Sequence, residues 1–432
     1  MAQKRTMKLK ERIFYGLGCN RFTSAYFKFL KSHTLFMIFM ALPSVFINTF
    51  FMSQTDDKNV VLLYNMMNFL FTGFSMFLAV LLMRRTSAAI CAIVGVALYN
   101  VMYIGLLILN TRAAEYSYLL GMFNGTASGF YWLSYGTRLA ESTDDSNREG
   151  ALSIQSIASS VVNLFFPMVS GAIISSLPGF TGYFAIFSLA LVIALITILE
   201  LFRLPKIAAK NKKTSICKCI KTVFTNKVWF LSMFSNTCYS VREGAFSFML
   251  NIIIFQYVRS EALVGLNTFL GAGATIVSSI LLMKIVNQNN RVQSMTIAST
   301  ILLLIGIAFV FRMNVYTCLI YAVANSFVLL YHSFPVNGVV LSPYGVMPNS
   351  AELCPEFMAI KENFVGVGRS VGILVIMGVN ALTNGDLVWQ AVTLAGLSAF
   401  QYVTILVCKK CLKEVAKVKQ EQAAAAEALP VS

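Results

Sequence analysis

Apolar runs of about twenty residues recur along almost the whole chain, separated by short polar or glycine- and proline-containing breaks. A helix rises ~1.5 Å per residue, so such a run crosses the ~30 Å hydrocarbon core of a bilayer. The pattern predicts about twelve transmembrane helices. They fall at 34–53, 60–83, 87–109, 116–138, 151–175 and 182–203, then at 228–256, 262–283, 292–311, 314–337, 357–381 and 386–408. A basic, polar break at 204–227 parts them six and six. The expected organisation is a basic cytosolic segment 1–33, a six-helix bundle 34–203, a linker 204–227, a second bundle 228–408 and a tail 409–432.

Composition strengthens this picture. Of 432 residues, 57% are hydrophobic and only 12% charged, and the mean hydropathy is +0.71. A soluble domain carries about 25% charged residues. The chain therefore reads as an all-α integral membrane protein, whose first partner is the lipid bilayer. The net charge of +16 could suggest nucleic acid. Its placement argues otherwise, because the bases cluster at the N-terminus, in the central break and in the tail. Arg84, Arg85, Arg138, Arg148, Lys284 and Arg291 fall on that same side, against Lys58, Arg112, Arg259 and Arg312 on the other. Such asymmetry places both termini and the central segment in the cytosol. No cleavable signal peptide is visible, and the expected location is the cytoplasmic membrane, as a multi-pass and monomeric protein.

Within the linker, "ICKCIKTVF" puts Ile216, Ile220, Val223 and Phe224 on one helical face. That suits a helix on the membrane surface or, equally, a solvated linker. Cys217 and Cys219, like Cys408 and Cys411, stand close in sequence, but no histidine accompanies either pair, so no metal site is expected. There is no P-loop or nucleophile constellation, and no room for an ATPase domain. The expectation is a protein that is not an enzyme, has no cofactor and draws on a proton or other ion gradient.

"AVLLMRRTS" at 79–87 closes the second run and "SILLMKIVN" at 279–287 closes the eighth. A repeat at six-span spacing suits a two-half transporter. Two six-helix halves, a basic central loop and basic turns after runs two and eight resemble the major facilitator superfamily over about 30–410. "FINTFF" at 46–51, "YNMMNFLFTGF" at 64–74, "FYWLSYGTRLAESTDDSNREG" at 130–150 and "KENFVGVGR" at 361–369 resemble a bacterial subgroup of these permeases without an assigned substrate. The resemblance implies alternating access around a midplane site. There are departures. Gly366 stands where the subgroup carries Asn, and the turn at Arg84 and Arg85 lacks the family's aspartate, which puts its gating salt bridge in doubt. "NLFFPMVSG" keeps only Pro167 and Gly171 of the exporters' glycine-rich motif.

A charge inside a spanning helix costs at least a few kcal/mol, so it faces a partner or a wet cavity. Arg242 and Glu243 in the seventh run and Arg369 in the eleventh are such charges. Neighbouring positions point ~100° apart, so Arg242 and Glu243 face different ways. Asn236, Tyr239, Ser240 and Ser247 share the Glu243 face. The family architecture implies that runs seven and eleven both line the cavity, so Glu243 is expected to pair with Arg369. The pair either holds two helices together or couples proton binding to transport, while an arginine holds a polar or anionic substrate group.

Glu362, one face with Arg369, is a gate or an interface anchor. Arg84, Arg85, Arg138 and Glu141 are further gate candidates. Gly121, Gly125 and Gly129 form a smooth ridge in the fourth run, with Trp132 and Tyr135 lining either a substrate site or ordinary core. His332, the intramembrane histidine of the tenth run, is either a proton site or a hydrogen-bonded core group. The expected function is secondary active transport of a small polar or anionic organic solute, probed against two rivals: efflux or flipping of amphipathic, lipid-like compounds, and a non-transporting membrane sensor.

Overall fold

The computed structural model describes residues 24–142, 148–204, 215–258, 260–286, 290–346 and 353–427, and all regular secondary structure among them is helical. Helices α1 (Ser24–Ala41) and α2 (Phe46–Gln54) make the first crossing, interrupted around Pro43. Then come α3 (Lys58–Arg85), α4 (Ala88–Leu109), α5 (Ser117–Ser142), α6 (Arg148–Ser176) and α7 (Thr181–Phe202). A short α8 (Ile216–Thr225) leads to α9 (Lys227–Val258), α10 (Glu261–Ile285) and α11 (Arg291–Phe311). The pair α12 (Val315–Val328) and α13 (Leu330–Val340), α14 (Cys354–Thr383) and α15 (Leu387–Glu427) complete the described chain.

Local chemistry sets the ends. The Asp57 side chain accepts the Asn59 N–H at the start of α3, and Ser87 caps α4. Asn314 and Thr317 form a reciprocal capping box at α12. Asn384, left-handed at φ 50°, stops α14. Pro335 cannot donate within α13, and the Tyr331 carbonyl it strands accepts the Ser294 hydroxyl of α11 at 2.8 Å.

Ten stretches are long and apolar enough to cross a membrane, and one of them, Ala88–Leu139, holds both α4 and α5. Helix α9, which carries Arg242 and Glu243, is not among those stretches, although it is 32 residues long and packs among them. The protein is thus a multi-pass membrane protein with ten to twelve crossings.

The two sets of six pack alike. In the first, α1 packs on α6 and α7, and α5 on α3 and α4, with α4 on α7. In the second, α9 packs on α14 and α15, and α12 on α10 and α11, with α11 on α15. Each of these contacts of the first set recurs between the corresponding helices of the second.

Close approach is bought by small residues. A β-carbon at Gly121, Gly125 or Gly129 would overlap the carbonyl oxygens of Tyr64, Asn68 or Thr72, so the α5 ridge lies directly on the α3 backbone.

The first crossing starts earlier than its apolar run. Helix α1 begins at Ser24, and Tyr26, Phe29 and His33 are buried, so part of the segment 1–33 belongs to the bundle. The basic Lys28 and Lys31 conceal this in sequence, because they leave the buried face of the same helix intact. Helix α8 also differs in detail. Val223 and Cys219 are fully buried against Trp229, Met233, Phe357 and Ile360, while Phe224 is exposed. The face carrying Cys219 and Val223 therefore docks on α9 and α14.

Candidate functional site

The halves meet along two seams. Helices α3 and α14 touch along their whole length: Lys58 Nζ donates to the Gly385 carbonyl at one end, Asn363 Nδ2 donates to the Gly73 carbonyl at 2.8 Å, and Arg84 meets Glu356 at the other end. The described contacts between α6 and α10 run from the Phe165 and Phe269 rings, 6.3 Å apart, to the end holding Ser175 and Ala262. There Gly171 abuts the Glu261 carbonyl, Gly265 abuts Pro167, and the Ala262 N–H donates to Ser175 Oγ at 3.0 Å. Tyr183 of α7 closes the same end by donating to Glu261 Oε1 at 2.6 Å.

The charged centre lies beside the first seam, at mid-helix on both α9 and α14. Gly368 and Gly372 let α14 sit against the Thr237 and Val241 carbonyls of α9, which brings the two helices' charges together. Arg369 Nε and Nη2 each lie 3.1 Å from Glu243 Oε2, and Nη1 lies 3.7 Å from Glu362 Oε1. Phe69, from the other half, places its ring centroid 4.8 Å from the guanidinium carbon. The three charged side chains keep 32%, 23% and 19% of their surface accessible for Glu243, Arg369 and Glu362. A purely structural ion pair deep in a bundle has no need of that access.

Arg242 faces away. It is 1% exposed, donates through Nε to Ser398 Oγ at 3.1 Å and through Nη2 to Asn325 Oδ1, and lies over the Phe246 ring at 3.7 Å. Neutral groups of α12 and α15 thus occupy it. Tyr239 and His332 stack at 5.7 Å, and His332 Nδ1 lies 2.9 Å from Ser299 Oγ. His332 is fully buried within the second half, as is Asn236 on α9.

Trp132 and Tyr135 assemble elsewhere, around His33 of α1. The His33 and Tyr135 rings lie 4.5 Å apart, Trp132 stands edge-on to both, and Tyr131 Oη lies 3.0 Å from His33 Nδ1. Tyr135 also donates to Gln155 Oε1 at 2.8 Å. His33 and His332 are thus both buried within helices, one in each half. His33 fell outside the expected first run, and only its spacing from Phe29 and Phe36 could have signalled a buried face.

Of the gate candidates, Arg84 reaches the second half. Its Nη2 lies 2.9 Å from both Glu356 oxygens, and Glu356 is fully buried. The carboxylate absent from the turn at Arg84 and Arg85 thus comes from the start of α14. The signal was "CPEF", an acid in a first helical turn after proline, where it also meets the helix dipole. Arg85 is exposed, and Arg138 lines a small cavity within the first half with His33, Ser134 and Leu204. The Glu141 side chain lies outside the described residues.

Near Glu356, burial together with the Glu356 charge pushes the Cys219 thiol up to about 11.

A family model described as Major Facilitator Superfamily matches residues 29–359. A Bacillus subtilis (strain 168) protein, "Uncharacterized protein YqgE", is 24% identical over 354 residues, 82% of each chain. An "Uncharacterized protein in sodM 3'region" of Geobacillus stearothermophilus is 28% identical over 148 residues, 34% of this chain and 69% of that one. Among solved structures, a D-xylose-proton symporter superposes with TM-score 0.66 at 11% identity, covering 88% of this chain and 98% of its own. A nucleoside transporter superposes with TM-score 0.64 at 13% identity, covering 90% and 100%. At those identities the two structures speak for the fold.

Proposed function

The chain belongs to the Major Facilitator Superfamily, whose members are transporters and not enzymes, and from that premise we propose a proton-coupled secondary transporter of a small polar solute in the cytoplasmic membrane. The observation that carries the coupling is the partly accessible ion pair of Arg369 and Glu243 at the midpoint of two packed helices. A carboxylate in such a place has two stable states. It is charged when Arg369 pairs with it, and neutral when it takes a proton and the pair loosens. Alternation between them gives the solute gradient and the proton gradient a shared step.

The two seams supply the movement. The seam of α6 and α10 is sealed at the end of Ser175 and Ala262, which the charge asymmetry assigns to the outside. The seam of α3 and α14 holds from end to end. The proposed resting state is therefore closed outward, with α3 and α14 as the pivot and Arg84–Glu356 as an inner lock across it.

A second reading, movement of an amphipathic or lipid-like compound, has one observation in its favour. A groove of about 430 Å³ lies between α10, α11 and α12, lined by Ile285, Ile297, Ile301 and Phe327 with Asn290 and Gln293.

The test is flux in proteoliposomes under an imposed pH gradient, with amines, sugars, nucleosides, carboxylates and a fluorescent phospholipid as candidate solutes. Coupled uptake or efflux of a polar solute, lost in Glu243→Gln, supports the first reading. Flux of the phospholipid alone, unchanged in that variant, supports the second.

A further inference from the structure

Both intramembrane arginines are already engaged. Arg242 spends its donors on Ser398 and Asn325 behind a fully buried surface. Arg369 spends Nε and Nη2 on one Glu243 oxygen, points Nη1 at Glu362 and covers its face with Phe69. An anionic solute would have to displace a carboxylate to reach Arg369, and would have to open the buried contacts with Ser398 and Asn325 to reach Arg242. What remains open is acceptor. Glu243 Oε1 receives no hydrogen bond from the described residues, and neither do the oxygens of Glu362, whose approach to Nη1 at 3.7 Å is too long for one. These oxygens are also absent from the buried unpartnered groups, so they face accessible space.

An open carboxylate edge, partly accessible at mid-helix among packed apolar helices, binds what donates to it and carries positive charge. From this, and resting on the transport reading above, we infer that the central site takes an organic cation of the ammonium or guanidinium class, and that the cation and a proton exchange at the Glu243–Glu362 edge.

The balance is simple. When the cation binds, one carboxyl group releases its proton to solvent and the ammonium takes its place beside the carboxylate. When the cation leaves, a proton returns. One positive charge enters as one departs, so the two cannot ride together and the transport mode is exchange.

The surrounding charges are consistent with that assignment. From α9, Tyr239 lies one turn before Glu243, and Arg242 is held on the side facing α12 and α15. From α14, Lys361 precedes Glu362 and points ~100° away from it around the helix. From α12 and α13, His332 is separated from the edge by its stack on Tyr239. From α3 the site receives the uncharged ring of Phe69. No described cation other than Arg369 pairs with either carboxylate.

The experiment is calorimetric titration of the purified full-length protein in buffers of differing ionisation enthalpy, which counts protons moved per ligand. The probes are tetramethylammonium, propylammonium, methylguanidinium, xylose, uridine and gluconate. The expected result is binding by at least one of the cations, release of about one proton per cation, and an apparent affinity that falls about tenfold per pH unit in the acid range. Glu243→Gln or Glu362→Gln abolishes the release, and Glu362→Gln serves where the first variant folds poorly. Gluconate binding with proton uptake, binding of xylose or uridine alone, or no cation binding up to tens of millimolar overturns the inference. Those failures are distinct from failure of the transport reading, since pH-driven flux lost in Glu243→Gln survives a wrong solute class or a reversed proton sign.

Discussion

Arg369 on α14 is paired with Glu243 on α9 in preference to Glu362, its neighbour two turns back on its own helix. Two guanidinium nitrogens lie 3.1 Å from Glu243, against 3.7 Å for the single approach to Glu362. The longer-range partner wins because the glycines at 368 and 372 put the α9 backbone within touching distance. Removing one partner of a buried pair strands the other, at about 3–5 kcal/mol. These groups are partly accessible, so the cost falls below that range. Arg369→Met should lower stability in detergent by ~2–3 kcal/mol, and Arg369→Met combined with Glu243→Met should recover most of it. A double-mutant cycle on unfolding midpoints reads the difference. Equal losses in single and double variants would remove the pair from the account of stability.

The fold and this pair were legible in the sequence for one reason: membrane helices tolerate few charges, so each one inside a run carries information. Glu243 and Arg369 could be matched because both are mid-helix charges in runs that the family resemblance sets on one cavity, while Glu362, on the same face as Arg369, stayed a rival partner. The rest was hidden by the same logic. Glu356 sits in the first turn of α14, where an acid is common, and His33 precedes the first apolar run between Lys31 and Thr34, so the burial of both depends on how the helices pack. Arg242 looked equivalent to Arg369, yet only the positions of Asn325 and Ser398 on other helices show that its donors are spent. The oxygens left open at Glu243 follow from geometry alone.

Arg84 and Glu356 join the halves at the end where the central segment lies, with Glu356 fully buried. A lock across a moving seam should favour the state in which it is formed. Glu356→Gln should shift the halves toward the state in which that end of the seam is parted, and the reversed pair Arg84→Glu with Glu356→Arg should restore part of the balance. Spin labels on α3 and α14 near these positions report the change as a longer inter-half distance. A distance distribution identical in all variants would mean that the pair is structural only.

The glycine ridge of α5 makes a sharper stability prediction. Gly125→Leu places a branched side chain against the Asn68 carbonyl, where not even a β-carbon fits without movement. Overpacking costs about 1–3 kcal/mol and more where backbone must shift. Unfolding in detergent should move by at least that amount. Gly136→Leu on the same helix, whose β-carbon position is open, should be close to neutral.

Two cysteines on α8 differ in one turn of helix. Cys217 is exposed, whereas Cys219 is buried and its thiol is pushed up to about 11. The thiolate is the nucleophile, and a raised value means that it forms only as pH climbs toward 11. Near pH 8 iodoacetamide should therefore label Cys217 at least about a hundredfold faster than Cys219. Labelling of Cys219 should rise about tenfold per pH unit above that, with the sign set by loss of the proton. Mass spectrometry of the labelled peptide separates the two sites. Equal rates would mean that α8 does not dock on α9 and α14.

Tyr183 and Glu261 close the opposite end. Tyr183 Oη donates to Glu261 Oε1 at 2.6 Å and lies 3.3 Å from Thr49 Oγ1, so one hydroxyl ties α7, α10 and α2 together. A hydrogen bond to a charged group contributes about 1.5–3 kcal/mol, and 1.4 kcal/mol is tenfold in an equilibrium. Tyr183→Phe keeps the ring packing against Phe50 and Phe187 and removes only the donor. The population open at this end should therefore grow about tenfold or more without a matching loss of fold. Distances between spin labels on the exposed ends of α6 and α10 read that population directly. Glu261→Gln retains a weaker acceptor, so its shift should be smaller and of the same sign. A Tyr183→Phe protein whose distance at this end stays short would show that the backbone contacts of Gly171 and Gly265 alone hold it shut.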